Sequence, residues 1–375
     1  MAHATTGVGM VKTHYFDCAE DLRLSSGFVL PGFCLAYETY GVLNPQRDNA
    51  ILLLHALSGD AHAAGFHSPS DRKPGWWDDM IGPGRAFDTN KYFFICSNVL
   101  GGCKGSSGPL TLHPTTGRRW ASDFPVVTIA DMVAAQVRLI SHLGINRLYA
   151  VAGGSMGGFQ AIEWMIAHPD RVQSAILLAT SAISSPQAVA WNAIGRQAIM
   201  RDPKWVGGHY ELDDAPVDGL SVARMIGHIT YVSDASLKQK FPHRFAHAMT
   251  PAYTLADEFT VETYLNYQAQ RFNERFDANS YLYITKAMDY WDVTREYGEL
   301  HMAFQKWRKP TLLVSFDSDW LYPTSDALAI FNAIGDSASH VELHSTAGHD
   351  AFLIESDVQT PLIQQFLTQV ESVTV

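Results

Sequence analysis

The chain has 375 residues, 47% hydrophobic and 17% charged, which is ample for a large core and long for one compact domain, so a core domain carrying a substantial insertion is expected. Its formal net charge of −11 argues against a general nucleic-acid or membrane-surface role, which normally shows as a basic patch or tail. The four cysteines, Cys18, Cys34, Cys96 and Cys103, are too scattered for a disulfide framework or a structural zinc site and are read as reduced thiols.

After an N-terminal arm ending near Asp21, Leu22 to Tyr40 reads as two antiparallel strands joined near Pro31-Gly32, because turn formers interrupt the apolar residues. Ala50 to His55 is a short, almost wholly apolar strand, and Tyr92 to Ser97 is another. A helix is expected from about Ile129 to Leu143, with Met132, Val133, Gln136, Val137 and Ile140 at helical spacing. Leu148 to Ala152 then reads as a strand, Phe159 to His168 as a largely buried helix, and Ala175 to Ala179 as a strand. From about 181 to 309 the pattern turns helical and rich in Met, Tyr, Phe and Trp, too long for a connection and best read as a lid inserted into a core of residues 1–180 and 310–375. Trp191, Tyr231, Tyr253 and Tyr264 could line a channel or an interface there. Thr311 to Ser315 and His340 to His344 are the last strands, and strands alternating with helices imply a mainly parallel, covered sheet.

Between the Leu148 to Ala152 strand and its helix stands Gly153-Gly154-Ser155-Met156-Gly157, a G-x-S-x-G run in the strand-turn-helix context of a nucleophile elbow. The expected architecture is therefore an α/β-hydrolase fold. A serine hydroxyl needs a neighbouring base, and in this fold the chain order is serine, acid, histidine. Two late segments follow strands and supply the candidates: Phe316-Asp317-Ser318-Asp319-Trp320 and Ala347-Gly348-His349-Asp350. Asp317 or Asp319 could serve His349; Asp319 is preferred. The oxyanion donors are assigned to the N–H groups of Met156, directly after the nucleophile, and Leu57, in the loop after an early strand. His55, His62 and His67 lie in the same region, but without zinc-site spacing no metal is assigned to them.

The chain resembles the homoserine O-acetyltransferase family. The segments that carry the resemblance include Leu54-His55-Ala56-Leu57-Ser58-Gly59-Asp60, Lys73-Pro74-Gly75-Trp76-Trp77, Ser97-Asn98-Val99-Leu100-Gly101-Gly102, Gly153 to Gly158, Arg224 to Tyr231, Ser318 to Pro323 and Gly348 to Phe352. They span most of the chain. The resemblance implies that Ser155 takes an acetyl group from the co-substrate acetyl-coenzyme A and passes it to L-homoserine, a step toward methionine, with no permanently bound cofactor. It further implies that Arg224 holds the homoserine carboxylate, that Asp350 meets its amino group with Tyr231 nearby, and that a homodimer forms through the lid helices. Succinyl-coenzyme A as donor, or water as acceptor in an esterase, are the rival readings. No signal-like segment leads the chain and no run of about 18 apolar residues occurs, so a soluble cytoplasmic enzyme is expected.

Overall fold

The computed structural model describes residues 7–242, 245–246, 250–256 and 259–374. Eight strands form one sheet: β1 (His14–Cys18), β2 (Phe33–Tyr40), β3 (Ala50–Leu54), β4 (Phe93–Ser97), β5 (Ala150–Gly154), β6 (Ala175–Leu178), β7 (Thr311–Phe316) and β8 (Ala338–Leu343). Their spatial order is β1-β2-β4-β3-β5-β6-β7-β8. β1 and β2 add antiparallel at one edge, and every other pairing is parallel.

The central strands read as uninterrupted apolar runs because both faces of the sheet are covered. In β3 all five residues are buried. Leu52 and Leu54 point to one face, against α1 (Ile129–His142) and α2 (Met156–Ala167), which contribute Met132, Leu139, Phe159 and Ile162. Ile51 and Leu53 point to the other, with Trp77, Phe87 and the final helix, Ser356–Thr374, through Ile363, Phe366 and Leu367. The α1 start is fixed by a capping box between Thr128 and Asp131.

Three local expectations need correction. Leu22–Tyr40 is not a hairpin: Leu22–Arg23 pairs with Val29–Leu30 as a separate small ribbon, and β2 pairs instead with β1, inside the supposed arm. The chain turn at Pro31-Gly32 therefore separates two sheets rather than joining two partners. The helix after the elbow begins at Met156, not Phe159, since the chain enters it directly from Ser155. β5 lies two residues later than expected, because Leu148 makes only an isolated bridge to Val172.

Between β6 and β7 the described chain is helical, and the main helices are α3 (Pro186–Arg201), α4 (Val217–Tyr231), α5 (Asp234–Lys240), α6 (Thr260–Asn273) and α7 (Ala278–Asp289). No helix among the described residues is long and apolar enough to cross a membrane.

One contact sets how close α2 comes to the sheet. A Cβ at Gly157 would fall 2.1 Å from the Leu54 carbonyl oxygen, a backbone atom with nowhere to move. Gly157→Ala is therefore expected to cost about 1–3 kcal/mol of stability by overpacking, read as a lowered thermal midpoint.

Candidate active site

Ser155 sits at φ 56° and ψ −126°, outside the regions a side-chain-bearing residue favours, at a typical cost of about 1–3 kcal/mol. The surroundings hold it there. Its N–H donates to the carbonyls of Leu178 (3.0 Å) and Ala179 (3.1 Å) at the end of β6, and its own carbonyl accepts from Thr180 Oγ1 at 2.8 Å. The side chain is thereby raised above the carboxyl ends of the parallel strands, where open α/β sheets place their sites.

The loops after β7 and β8 meet each other, and His349 lines the same cavity as Ser155. His349 Nδ1–H donates to Asp319 Oδ2 at 2.7 Å, and both side chains are buried. Asp319 Oδ1 accepts from the N–H groups of Leu321 (2.9 Å) and Tyr322 (3.0 Å), so the carboxylate cannot turn away. Asp317 instead accepts from the exposed His344 and from Ser345 N–H, which settles the geometric choice between the two aspartates. Those two bonds pull the Asp317 pKa down, whereas no contact links it to His349. Gly348, at φ 72°, lets the loop pass the α4–α5 junction, where a Cβ would fall 2.6 Å from Ser233 N. Neither Ser155 Oγ nor His349 Nε2 has a hydrogen-bond partner among the described residues. Catalytic hydrogen bonds of this kind commonly tighten only when substrate is bound.

Leu57 and Met156 come together because β3 and β5 are neighbours, with Leu54 beside Gly153. Among the described residues neither N–H is donated to any acceptor, which leaves both donors free. The three early histidines divide. His55 is buried and accepts from Val99 N–H. His62 and His67 do converge, on the buried Glu38, with candidate ligand atoms within 4.8 Å of one another. Spacing within the histidine segment could not reveal this, since Glu38 comes from β2. Glu38 Oε2 accepts from His62 Nδ1 (2.9 Å) and Tyr40 (3.0 Å), and Oε1 from His67 Nε2 (2.6 Å) and Thr13 (2.9 Å). A cation could enter only by displacing those protons. Burial alone would raise the Glu38 pKa, but the two imidazole hydrogen bonds outweigh it and bring it down to about 2.

Ser155, Leu57 and His349 line a cavity of about 900 Å³. Arg224 and Tyr231 on α4, and Asp350 after His349, line it too. The Arg224 guanidinium lies 4.6 Å from the Phe272 ring centroid and 5.7 Å from that of Tyr231, and its buried Nε has no hydrogen-bond partner among the described residues. Asp350 has no ion pair or hydrogen bond among the described residues, and burial raises its pKa against the pull of His349, Arg224 and Lys240. Of the four aromatics singled out between 181 and 309, Trp191 and Tyr231 line the cavity, Tyr253 is 90% exposed, and Tyr264 packs on Phe241 and His228 instead.

Residues 49–356 match the alpha/beta hydrolase fold family. A homoserine O-acetyltransferase from Deferribacter desulfuricans is 50% identical over 366 residues, 97% of each chain. The chain belongs to the homoserine O-acetyltransferase family. The crystal structure of a homoserine O-acetyltransferase from Bacillus anthracis superposes with a TM-score of 0.89 at 30% identity, covering 96% of this chain and 98% of that one. Esterase E22 superposes nearly as well, with a TM-score of 0.88 at 28% identity over 96% of this chain and all of its own.

Sequence reasoning missed part of the cavity wall. Lys73, Lys104, Arg271 and Arg275 give it a cationic rim, and Tyr281 and Asn192 face it from α7 and α3. Lys73 had a signal, since it opens one of the family-like segments; Arg275, between α6 and α7, had none.

Two outcomes follow from these contacts. Labelling of Ser155 by a fluorophosphonate should drop about a hundredfold or more in Asp319→Asn and stay unchanged in Asp317→Asn. Because the folded-state pKa of Glu38 lies below its unfolded value, its contribution is present above pH about 4.5 and lost as pH falls toward about 2. Glu38→Gln should therefore show a shallower loss of stability across that window, measured by denaturant titration at stepped pH.

Proposed function

We propose that the protein transfers acetyl from acetyl-coenzyme A to the side-chain hydroxyl of L-homoserine through an acetylated Ser155. The observation that carries this reading is the pair Arg224 and Asp350, opposite charges without ionic partners among the described residues, in the same cavity as Ser155 and the Asp319-bound His349. A free amino acid offers the complementary carboxylate and ammonium, and a guanidinium suits a carboxylate through paired donors.

The steps use only groups already placed. Ser155 Oγ attacks the thioester carbonyl as His349 Nε2 takes its proton, while the oxyanion lies between the N–H groups of Leu57 and Met156. Asp319 keeps the His349 ring oriented and favours its protonated form. Collapse breaks the carbon–sulfur bond, and His349 returns the proton to the departing thiolate. The homoserine hydroxyl then attacks the acetyl ester with His349 again as base, and the second collapse restores Ser155. Tyr231, its ring 6.1 Å from that of His349, walls the acceptor site.

The likeness to esterase E22 supports a second reading in which water takes the acceptor's place. Mass spectrometry after brief mixing with acetyl-coenzyme A should show acetyl on Ser155, removed on adding L-homoserine with formation of O-acetylhomoserine and absent in Ser155→Ala. Discharge at the same rate without homoserine would make it an esterase, and faster loading from succinyl-coenzyme A would change the donor. Arg224→Lys should leave acetylation intact but lower kcat/KM for homoserine about ten- to hundredfold, the scale of a lost charge-assisted hydrogen bond.

The same reading includes a cytoplasmic location, a division into a core of 1–180 and 310–375 with a lid of 181–309, and a homodimer through the lid helices. A monomeric mass in solution would remove the dimer.

A further inference from the structure

We infer that His55 is a positioning residue that aims the Leu57 N–H at Ser155 by gripping the carbonyl of the same peptide unit. This rests on the proposed acyl transfer and on Leu57 as an oxyanion donor, and deepens it.

A trans peptide is planar, so the C=O of Ala56 and the N–H of Leu57 point in opposite directions from one rigid plate. No peptide bond among the described residues is cis. Whatever holds the Ala56 oxygen therefore sets where the Leu57 N–H points. His55 Nδ1 lies 2.7 Å from that oxygen, and Gly59 N–H donates to the same atom at 3.0 Å. Both grips come from the side of the plate away from the free N–H.

The tautomer is fixed from elsewhere. Val99 N–H, after β4, lies 3.0 Å from His55 Nε2, which must accept and so cannot carry a proton. The proton is left on Nδ1, where it donates to Ala56. Burial lowers the His55 pKa, in keeping with a neutral ring. The turn closes tightly around the ring: a Cβ on Gly59 would fall 2.8 Å from His55 Cβ.

The neighbouring carbonyls are tied as well. The His55 carbonyl accepts from the buried Gln160 Nε2 of α2 at 3.1 Å, and the Ser58 carbonyl accepts from Arg275 Nη1 at 2.9 Å. Gln160 Nε2 also lies 3.3 Å from the Met156 carbonyl, so one amide binds the segments that carry both proposed oxyanion donors. His55 thus acts on the reaction through Leu57, without touching substrate.

Asn and Gln separate the two halves of the imidazole. His55→Asn places an amide N–H near the Nδ1 position and keeps the grip on Ala56, whereas His55→Gln places an acceptor near Nε2 and keeps only the Val99 bond. The loading rate of Ser155 from acetyl-coenzyme A should fall about ten- to hundredfold in His55→Gln, less than the roughly hundred- to thousandfold for losing an oxyanion donor outright, because the donor is misaimed and not removed. It should stay within about threefold of the parent in His55→Asn, with KM for L-homoserine changed less than about twofold in both. Equal loss in the two variants, or KM moving with kcat, would overturn the positioning role while leaving the acetyl-enzyme in place. An unmodified chain that never acetylates Ser155 would overturn both readings together. Should His55→Gln fail to fold, nitrogen-15 NMR of the histidines in the unmodified protein decides: a neutral ring protonated at Nδ1 supports the role, and one protonated at Nε2 removes it.

Discussion

The seating of the first turn of α2 on the end of β3, where Gly157 meets the Leu54 carbonyl without room for one more carbon, is the constraint from which the site follows. It brings the N-terminal turn of one helix against the last residue of the neighbouring strand. Ser155, the Met156 N–H and the loop that carries Leu57 therefore occupy one small volume by backbone packing alone. Backbone groups fixed in this way need no reorganisation when charge develops, which is what makes preorganised donors effective. The strained Ser155 backbone is tolerated because Leu178 at the end of β6 and Ala179 just after it supply carbonyls to its N–H, and the Thr180 hydroxyl donates to its C=O.

Around that fixed centre the charged groups fall into two kinds. Asp319 is saturated: His349 and two backbone N–H groups occupy its oxygens, so its geometry is settled before any substrate arrives. Arg224 and Asp350 are the reverse. Each is held in or beside buried surroundings without an ionic partner among the described residues, an arrangement that favours the entry of a complementary charge. Groups that orient chemistry are finished within the protein, and groups suited to recognition are left incomplete.

The sequence made the centre of the sheet legible because buried parallel strands are written as continuous apolar runs, and the bounds of β3, β4, β6 and β7 lie within a residue of expectation. It misled at β1 and at residues 22–40, where alternating exposed and buried residues could pair with several partners and only the assembled edge decides. Ser155 and His349 were readable from local context, since the elbow and a glycine-led loop after the last strand are local features. Between Asp317 and Asp319 the sequence supported a preference for Asp319 but not a decision, because the difference lies in which histidine each reaches, His344 or His349, and that depends on the stagger of β7 and β8. The Glu38, His62 and His67 convergence and the reach of Arg275 to Ser58 were invisible for the same reason: partners from distant chain segments leave no spacing to read.

That an esterase and a homoserine O-acetyltransferase superpose on this chain almost equally well follows from where the two chemistries differ. Both need a raised serine, an oriented histidine and paired oxyanion donors, and all of these belong to the sheet and its loops. Choice of acceptor is a competition between bulk water and a hydroxyl held near the acyl carbon. Well-oriented intramolecular reactants reach effective concentrations of about 10⁵–10⁸ M, far above that of water, so an acceptor held as proposed for Arg224 and Asp350 would outcompete it. Arg224 comes from α4, outside the sheet, and Asp350 from the residue after His349. Acceptor choice can thus change through single side chains on the helices between β6 and β7 and at one loop position while the backbone framework stays the same.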